Sequence, residues 1–354
     1  MRVGIQSVGL FLPPEIRTND WWSPDVVASW AAQRRQPLPP DPALLETEGA
    51  RRVLAALAQQ TSDPFQGTVQ RHIMPKAMTL LDMEEHAAHT AITRAQIDPA
   101  TIDLVLTSTT VPDYLLGNPA CGLHERLKLP RRCFALHTDV AAGAFQAQLE
   151  IAEAMIVAGR ARCALLVQSC APSRIIDPLD PNAPYFGDAA TAMIVGPVDA
   201  AHGIETSVTF TDGRYGRTLI ASVPGGKWYE GPATLMVGDP EQTRAVFLQT
   251  ADLCKVSIDH CLGATARTVA DIDFVAMHQG AAWLRRVIWD YTGLADARSV
   301  EIFGEMGYLF ASTIPASLAI AEDQQLLSAG DRVILVGGGT GMTYGATQLV
   351  WGRG

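Results

Sequence analysis

The sequence predicts a layered α/β fold, because short apolar stretches typical of buried strands alternate along the chain with helical patterns. The chain has 354 residues, which is enough for two domains or for one duplicated domain. Hydrophobic residues make up 48% of the chain and charged residues only 18%, so a large core can form. The second half repeats the strand and helix pattern of the first half, without sequence identity between them.

Strand and helix signals in the first half begin with alternating apolar residues at 2–10, which predict a strand. Residues 82–96 form an amphipathic pattern typical of a helix, with Asp82 as its predicted N-cap. Residues 24–60 are rich in Pro, Ala and Gln and predict helices joined by a loop at Pro37–Pro42. Further apolar stretches predict buried strands at 102–107, 163–168 and 188–196.

The second half contains the same two kinds of signal. Patterns with helical periodicity predict helices at 241–263, 281–292 and 314–327. Apolar stretches predict strands at 272–277, 333–337 and 345–350. The strand at 333–337 runs into the three glycines Gly337–Gly339, where we expect a turn.

Charge and hydropathy exclude several classes of function. The net charge is −10 and no basic stripe with interleaved aromatic residues occurs, which argues against nucleic acid binding. No apolar run reaches the roughly 18 residues of a membrane span, and no signal peptide pattern opens the chain. We therefore expect a cytoplasmic protein that does not enter membranes.

Cysteine spacing predicts neither a metal site nor a disulfide framework, because no pair is separated by two residues. In a reducing compartment we expect packing or surface thiols. The cysteines are Cys121, Cys133, Cys163, Cys170, Cys254 and Cys261.

Residues 136–150 predict an elbow between a strand and a helix. Val140 to Ala144 is a turn of small residues, and Phe145 begins a helical pattern. A helix N-terminus offers unpaired N–H groups and a positive dipole end, which would lower the pKa of a cysteine there. Alanine has no such chemistry, so the small residues could also serve only tight packing.

His278 is the strongest catalytic candidate. It follows the apolar residues 274–277 at a strand-to-helix junction, where enzymes of α/β class place reactive side chains. Its neutral imidazole could take a proton from an attacking alcohol or amine, or donate a hydrogen bond to a thioester oxygen. We expect structural roles for the other histidines, which are His72, His86, His89, His124, His137, His202 and His260.

Three distant segments resemble ketoacyl-ACP synthase III of the thiolase superfamily. They are residues 159–196 with the turn Phe186-Gly187-Asp188-Ala189, residues 274–287 with His278-Gln279, and residues 304–351 with the triple glycine; residues 12–22 add a fourth match. The resemblance implies a thiolase fold with duplicated βαβαβαββ halves in five alternating α and β layers. We expect the halves at 1–198 and 199–354.

The same resemblance implies a homodimer and a narrow tunnel for a phosphopantetheine arm. Acyl groups would arrive as thioesters of coenzyme A or an acyl carrier protein, with no tightly bound cofactor and no metal. In this family a cysteine accepts the acyl group, and a histidine and an asparagine assist decarboxylation and condensation.

Two positions depart from the family pattern. Alignment on Phe145 places the nucleophile position at Ala142. The asparagine position falls on Tyr308, before Pro315, and a phenol cannot place an amide N–H beside His278, although it can donate a hydrogen bond or simply fill the pocket.

Several other residues are weaker candidates near this site. Cys121 matches a helical segment near the family's dimer interface, so packing is favoured over a nucleophilic role, and Cys133 and Cys170 rank no higher. Glu305 could orient His278.

The triple glycine has a role under this resemblance. The N–H groups of Ala142 and Gly338 would form an oxyanion hole for a thioester carbonyl, while Gly337, Gly339 and Gln279 would contact substrate. A simple tight turn is the alternative. A dinucleotide site is not indicated, because no GxGxxG pattern follows.

These departures leave three hypotheses. The favoured one is an acyltransferase of antibiotic biosynthesis, a branch of secondary metabolism, in which Ala142 replaces a parent cysteine and the acceptor is a hydroxyl or amine of a sugar or cyclitol. The second is a natural alanine enzyme that transfers the acyl group directly, with His278 as base. The third is a non-catalytic subunit that binds acyl thioesters. A condensing enzyme is less favoured because the histidine–asparagine pair is incomplete.

Residues for substrate docking are less defined. The segment 28–66 exceeds the family pattern and could form part of the acceptor side. Tryptophans 21, 22 and 283 could line a tunnel mouth or lie in the core. Candidate cations for an acidic donor are Arg34, Arg35, Arg131, Arg132, Arg214, Arg217, Arg285 and Arg286.

Overall fold

The computed structural model describes residues 2–33, 42–60, 62–339 and 341–352. Arg34, Arg35 and most of the predicted loop at 37–42 lie outside the described residues.

The first half of the described chain combines one large sheet with helices on both sides. In chain order its elements are β1 (Arg2–Phe11), β2 (Glu15–Thr18), α1 (Pro24–Gln33), α2 (Glu48–Gln60), β3 (Gln70–Ile73), α3 (Leu80–Ala95), β4 (Leu104–Thr109), α4 (Pro119–Arg126), β5 (Phe134–His137), α5 (Ala144–Val157), β6 (Ala164–Cys170) and β7 (Ala189–Val198).

The second half follows without a break. Its elements are β8 (Gly203–Thr211), β9 (Leu219–Ser222), β10 (Thr234–Val237), α6 (Pro240–Ala264), β11 (Phe274–Met277), α7 (Leu284–Thr292), α8 (Phe303–Met306), α9 (Thr313–Asp323), β12 (Arg332–Gly339) and β13 (Thr343–Val350).

The two large sheets have the same strand order. The first is β1-β7-β6-β4-β5 and the second is β8-β13-β12-β11. In each, the first two pairings are antiparallel and the next is parallel. Arg298 forms an isolated parallel bridge to Phe274 in the second sheet, at the place that β5 occupies in the first. The repeated topology is a duplication, while the exact division of the halves at 198 and 199 stays a prediction.

Five layers result from the way the helices pack. Helices α5 and α9 lie between the two sheets, and each contacts strands of the first sheet as well as of the second. Helices α3 and α4 cover the outer face of the first sheet. Helix α6 covers the outer face of the second sheet, and α2 and α7 pack against α6. The predicted fold class is confirmed.

Three apolar cores fill the spaces between these layers. The central core contains Phe145 and Leu149 of α5, which pack with Phe274 and Leu335 from the second sheet. One outer core lies under α3 and α4, and the other lies between α6, α7 and the second sheet. Strands β4 and β6 are buried along their whole length, which explains the apolar runs at 104–106 and 164–167 with which they begin.

The N-terminus of α3 differs from the prediction. Thr79, not Asp82, is the N-cap, and the helix begins at Leu80. The Thr79 hydroxyl accepts a hydrogen bond from the Asp82 N–H at 3.1 Å, and the Asp82 carboxylate accepts one from the Thr79 N–H at 2.8 Å. In this reciprocal capping box Asp82 is the third residue of the helix. The prediction that Asp82 caps α3 is therefore right about the contact with the helix N-terminus and wrong about its position.

Other boundaries shift by a few residues. Gly337–Gly339 are not a turn but the end of β12, paired with residues 343–345 of β13. The predicted helix at 281–292 begins only at Leu284, and the one at 314–327 ends at Asp323. No helix among the described residues is long and apolar enough to cross a membrane.

Candidate active site

The elbow after β5 places Ala142 at the start of α5. Residues Ala141–Gly143 form a short 3-10 turn, and α5 continues from Ala144. Ala141 has φ +46°, in the left-handed region that non-glycine residues rarely adopt. Ala142 is 7% exposed, and Gly143 is buried. The chain therefore turns tightly into α5 at Ala142, and the assignment of this residue to the nucleophile position stays a prediction.

His278 comes to the same region because it follows β11 directly. Met277 of β11 pairs with Val336 of β12, and the His278 N–H donates to the Val336 carbonyl at 2.9 Å. Since these strands are parallel, His278 and Gly337 emerge side by side at one sheet edge. Burial lowers the pKa of the imidazole to about 4, so the ring is neutral near neutral pH.

The His278 imidazole has no hydrogen-bond partner among the described residues. Glu305, a candidate for orienting it, is exposed on α8 and makes no hydrogen bond to the ring. The orienting role of Glu305 is therefore wrong, because the helix directs this residue to solvent.

The glycines of β12 let the backbone approach both candidate positions. A Cβ on Gly337 would lie 2.5 Å from the His278 Cβ, and a Cβ on Gly339 would lie 2.7 Å from the Ala142 nitrogen. A Cβ on Gly338 would meet Tyr344 on the opposite face. Side chains are thus excluded at all three positions. The oxyanion hole expected from Ala142 and Gly338 stays a prediction.

Tyr308 forms an aromatic wall beside the imidazole. Its ring meets the His278 ring edge to face, with centroids 5.1 Å apart, and stacks on Phe310 at 4.5 Å. The Tyr308 N–H donates to the Tyr185 carbonyl at 2.7 Å, which fixes the backbone. Burial raises the pKa of the phenol, so it stays neutral. Tyr308 therefore supplies an apolar face and a hydroxyl where the family pattern has an amide.

A cavity of about 270 Å³ opens between His278, Tyr308 and the glycines of β12. Its remaining walls are mostly apolar side chains from β9, β10 and α6. They include Leu219, Leu235, Met236, Val237, Val246, Phe247 and Leu253.

One wall residue is unusual for a polar side chain. Thr218 lines the cavity and is 3% exposed, and its hydroxyl has no hydrogen-bond partner among the residues that the structure describes. Sequence patterns did not reveal this wall, because residues 218–237 show no periodicity that points to a distant histidine.

Gln279 does not contact this cavity. It is 1% exposed, and its amide donates to the Val300 carbonyl at 2.8 Å and accepts from the Ile302 N–H at 3.0 Å. The predicted substrate-binding role of Gln279 is wrong, because both ends of its amide hold the chain after α7 in place.

The cysteines near the site are not activated. The Cys170 thiol is fully buried and donates to the Leu309 carbonyl at 3.4 Å, and burial raises its pKa. Burial also raises the pKa of Cys133 to about 11 and that of Cys254, which lines the cavity, to about 12. Cys121 is exposed on α4. None of these buried thiols is activated as a nucleophile, and the nucleophile position at Ala142 stays a prediction.

The other candidates divide between core and surface. Trp22 and Trp283 are buried, whereas Trp21 is 49% exposed. Arg217 and Arg285 neighbour the wall residues Thr218 and Leu284 in the chain.

Three of the six candidate cations that the structure describes have a carboxylate partner. Arg214, Arg217 and Arg286 pair with Asp212, Asp239 and Asp290, respectively. The described residues contain no group of His, Cys, Asp and Glu side chains placed to hold a metal ion.

Comparison with known proteins defines the class of this architecture. A solved 3-oxoacyl-ACP synthase III from Pseudomonas aeruginosa PAO1 is 24% identical, with a TM-score of 0.78 over 100% of this chain and 99% of that one. OleA from Xanthomonas campestris, solved with lauric acid and lauroyl-CoA, is 19% identical, with a TM-score of 0.76 over 99% of both chains. The fold is that of the thiolase superfamily.

Sequence comparison narrows the class. The family model for 3-oxoacyl-ACP synthase III matches residues 138–213, and the model for its C-terminal domain matches residues 262–351. The β-ketoacyl-ACP synthase III of Natranaerobius thermophilus is 26% identical over 306 residues, covering 82% of this chain and 92% of that protein. The chain is therefore similar to ketoacyl-ACP synthase III in sequence and in fold.

Proposed function

We propose that this protein transfers an acyl group from a thioester to a hydroxyl or amine of a small acceptor. The observation that carries the proposal is the apolar cavity in which a neutral, unpartnered His278 faces the glycines of β12. An imidazole that lines an apolar cavity, makes no hydrogen bond to the described residues and has a lowered pKa is typical of functional sites. The relatives named as ketoacyl-ACP synthases support a thioester donor, carried by coenzyme A or an acyl carrier protein.

With alanine at position 142, the acyl group passes directly to the acceptor. The acceptor oxygen or nitrogen attacks the thioester carbonyl while its proton moves to His278. The carbon–sulfur bond then breaks, and the imidazolium returns the proton to the departing thiolate. Backbone N–H groups of Ala142 and Gly338 would stabilise the charged carbonyl oxygen, an effect worth about 3 kcal/mol per donor in comparable sites.

A cysteine at position 142 would divide the same reaction into two steps. The thiolate would first take the acyl group, and His278 would then activate the acceptor against the acyl-enzyme. This is the form expected if Ala142 replaces a parent cysteine, and the covalent intermediate distinguishes it from direct transfer.

Carbon–carbon condensation is the second candidate, favoured by the name of the synthase that is 26% identical. Decarboxylation of a malonyl group would need hydrogen-bond donors on the developing enolate. Tyr308 presents its ring to His278 and carries one hydroxyl, so the pair of donors is incomplete. Acyl transfer needs only a base and an oxyanion hole, and it fits secondary metabolism, with a sugar or cyclitol acceptor, better than initiation of fatty acids.

The acceptor has room beside the N-terminal segment. Gln66, at the end of the segment 28–66, lines the cavity. Arg217 and Arg285 are the chain neighbours of the lining residues Thr218 and Leu284. Their guanidinium groups would bind the phosphates of an acidic donor. Both proposals concern recognition and not the chemical step.

A homodimer is the proposed assembly. Strand β5 lies at the edge of the first sheet, and its Phe134 is 54% exposed. The loop between β4 and α4 exposes Tyr114, Leu115 and Leu116 at 81%, 71% and 95%, and Asn118 at its end donates to the Ala135 carbonyl of β5 at 3.1 Å. An open sheet edge beside contiguous exposed apolar side chains is typical of an interface between subunits.

The test is intact-protein mass after incubation with a panel of acyl-CoA and acyl-carrier thioesters, for this chain and for Ala142→Cys. We expect an adduct only on the cysteine form, and acceptor-dependent release of thiol by the alanine form. Adduct and turnover absent from both forms would contradict the proposal and favour a non-catalytic subunit that binds acyl thioesters. The matched control is Ala142→Ser, which has a similar volume and a weaker nucleophile.

A further inference from the structure

A second cavity lies beside the first and has a different character. It has a volume of about 220 Å³, and it shares Ile176 and Phe186 with the first cavity as lining residues. Its charged walls come from β2 and from the loops before α3 and after β6, which contribute Arg17, Lys76 and Arg174. Its volume is many times what one water molecule needs.

The cations of this second cavity are incompletely paired. Arg17 is partly buried and stacks on Trp21 at 4.0 Å, and its guanidinium donates no hydrogen bond to the described residues. Lys76 is exposed and has no ion pair in the described part of the chain. One nitrogen of Arg174 donates to the carbonyls of Pro75 and Met78, at 2.5 and 3.0 Å. Charged N–H groups therefore remain available to a ligand.

A further cation behind the wall adds to the positive charge. Arg71 is fully buried, and its guanidinium donates to the carbonyls of Pro184 and Arg17 at 3.0 and 2.8 Å. Burial, and then the charge of Arg17, lower the pKa of Arg71 to about 10. The cluster thus carries internal repulsion that an anion would relieve.

Two carboxylates oppose these four cations. Asp188 is buried and already accepts from the Met74 N–H at 2.7 Å, from the Ser173 N–H at 3.2 Å and from the Ser173 hydroxyl. Glu15 is exposed on the cavity wall. The cluster keeps an excess of positive charge in a chain whose net charge is −10.

We propose that the second cavity binds the phosphate monoester of a small-molecule ligand. A phosphate monoester is mostly dianionic at neutral pH and offers several acceptor oxygens, which suit the planar fork of Arg17 and the point charge of Lys76. The apolar part of such a ligand would lie against Ile176 and Phe186. This binding does not depend on acyl transfer, because none of its cations takes part in the proposed reaction.

The experiment is calorimetric titration of the full chain with inorganic phosphate at constant ionic strength and about pH 7.5. Lys76→Gln removes an exposed, unpaired charge and should leave the fold intact. The matched control is Lys128→Gln, another exposed lysine, located after α4. We expect saturable binding to the parent chain, with Kd raised roughly tenfold or more by Lys76→Gln and changed by less than about twofold by the control.

Competition identifies the source of the phosphate. Displacement of phosphate by coenzyme A but not by 3′-dephospho-coenzyme A would place the donor's monoester in the cavity. Displacement by glucose 6-phosphate alone would place a phosphorylated acceptor there. Absence of saturable phosphate binding, equal weakening by the two lysine variants, or no displacement by any of these compounds would overturn the proposal. Arg17→Lys, which keeps the charge and loses the fork, should also weaken binding.

Discussion

Glu84 gives the most quantitative prediction from this structure. It is fully buried in α3, and its Oε1 accepts hydrogen bonds from the hydroxyls of Thr109 at 2.7 Å and Ser169 at 2.6 Å. These partners stand at the C-terminal ends of β4 and β6. Burial raises the pKa of the carboxyl from 4.5 to about 7, with a small further contribution from Asp113. The folded protein therefore holds a proton that the unfolded chain releases.

The sign of the pH dependence follows from this difference. Below about pH 4.5 Glu84 is protonated in both states, so its contribution to stability is fully present. As pH rises to about 7, the unfolded chain loses the proton first and the free energy of unfolding falls. The pKa difference corresponds to about 3 kcal/mol, an upper value, since each unit is worth about 1.4 kcal/mol. Above about pH 7 the folded carboxyl ionises too, and the dependence ends.

Glu84→Gln is the perturbation that isolates this effect. The glutamine Oε1 can accept from both hydroxyls, so the packing and the hydrogen bonds at Glu84 are kept while the ionisation is removed. The free energy of unfolding should be measured in urea at several values between about pH 5 and pH 8. Its fall over this range should be smaller in the variant than in the parent chain by up to about 3 kcal/mol. Glu125→Gln, exposed on α4, should behave as the parent chain. Parallel loss of stability in parent and Glu84→Gln would refute the reasoning.

The remaining predictions concern the site and the assembly. His278→Ala should lower the rate of acyl transfer at least about 100-fold. In the parent chain His278 should stay neutral from about pH 8 down to about pH 5, because its pKa is about 4, so its protonation should not lower turnover in this range. Gly339→Ala should lower the unfolding free energy by about 2 kcal/mol, measured in urea, since its Cβ would meet the Ala142 nitrogen. Thr218→Val should raise it by about 1 kcal/mol in the same assay by removing an unsatisfied hydroxyl. Leu116→Asp should shift the proposed dimer to monomer in light scattering.

The sequence predicted most of the architecture because periodicity reports burial. The strands at 163–168 and 188–196 appear as β6 and β7 with small shifts, and the helix at 241–263 appears as α6. The ends of helices are less predictable, because they depend on individual side-chain contacts. The start of α3, for example, is set by the contact between Thr79 and Asp82. The sequence predicts a turn at the triple glycine because it does not show that β13 pairs along these residues.

The site itself was only partly predictable. His278 was found because it follows a buried strand, and this places it at the sheet edge where the cavity opens. Gln279 does not share the environment of His278, although the two are adjacent in the chain. Consecutive residues after a strand point in different directions, so His278 lines the cavity while Gln279 does not. The wall from β9, β10 and α6, and the orphan hydroxyl of Thr218, depend on contacts between residues far apart in the chain.

The features of the site differ in how strongly they argue for chemistry. Gly337 and Gly339 are required by packing alone, because a Cβ at either would collide with His278 or with the backbone at Ala142. Their presence would persist in a protein that had lost activity. The His278 ring packs edge to face on Tyr308 but makes no hydrogen bond within the described chain, and an apolar side chain of similar size would keep that packing without the desolvation cost. Its retention in the cavity therefore argues for a reaction more strongly than the glycines do, even with alanine at the elbow.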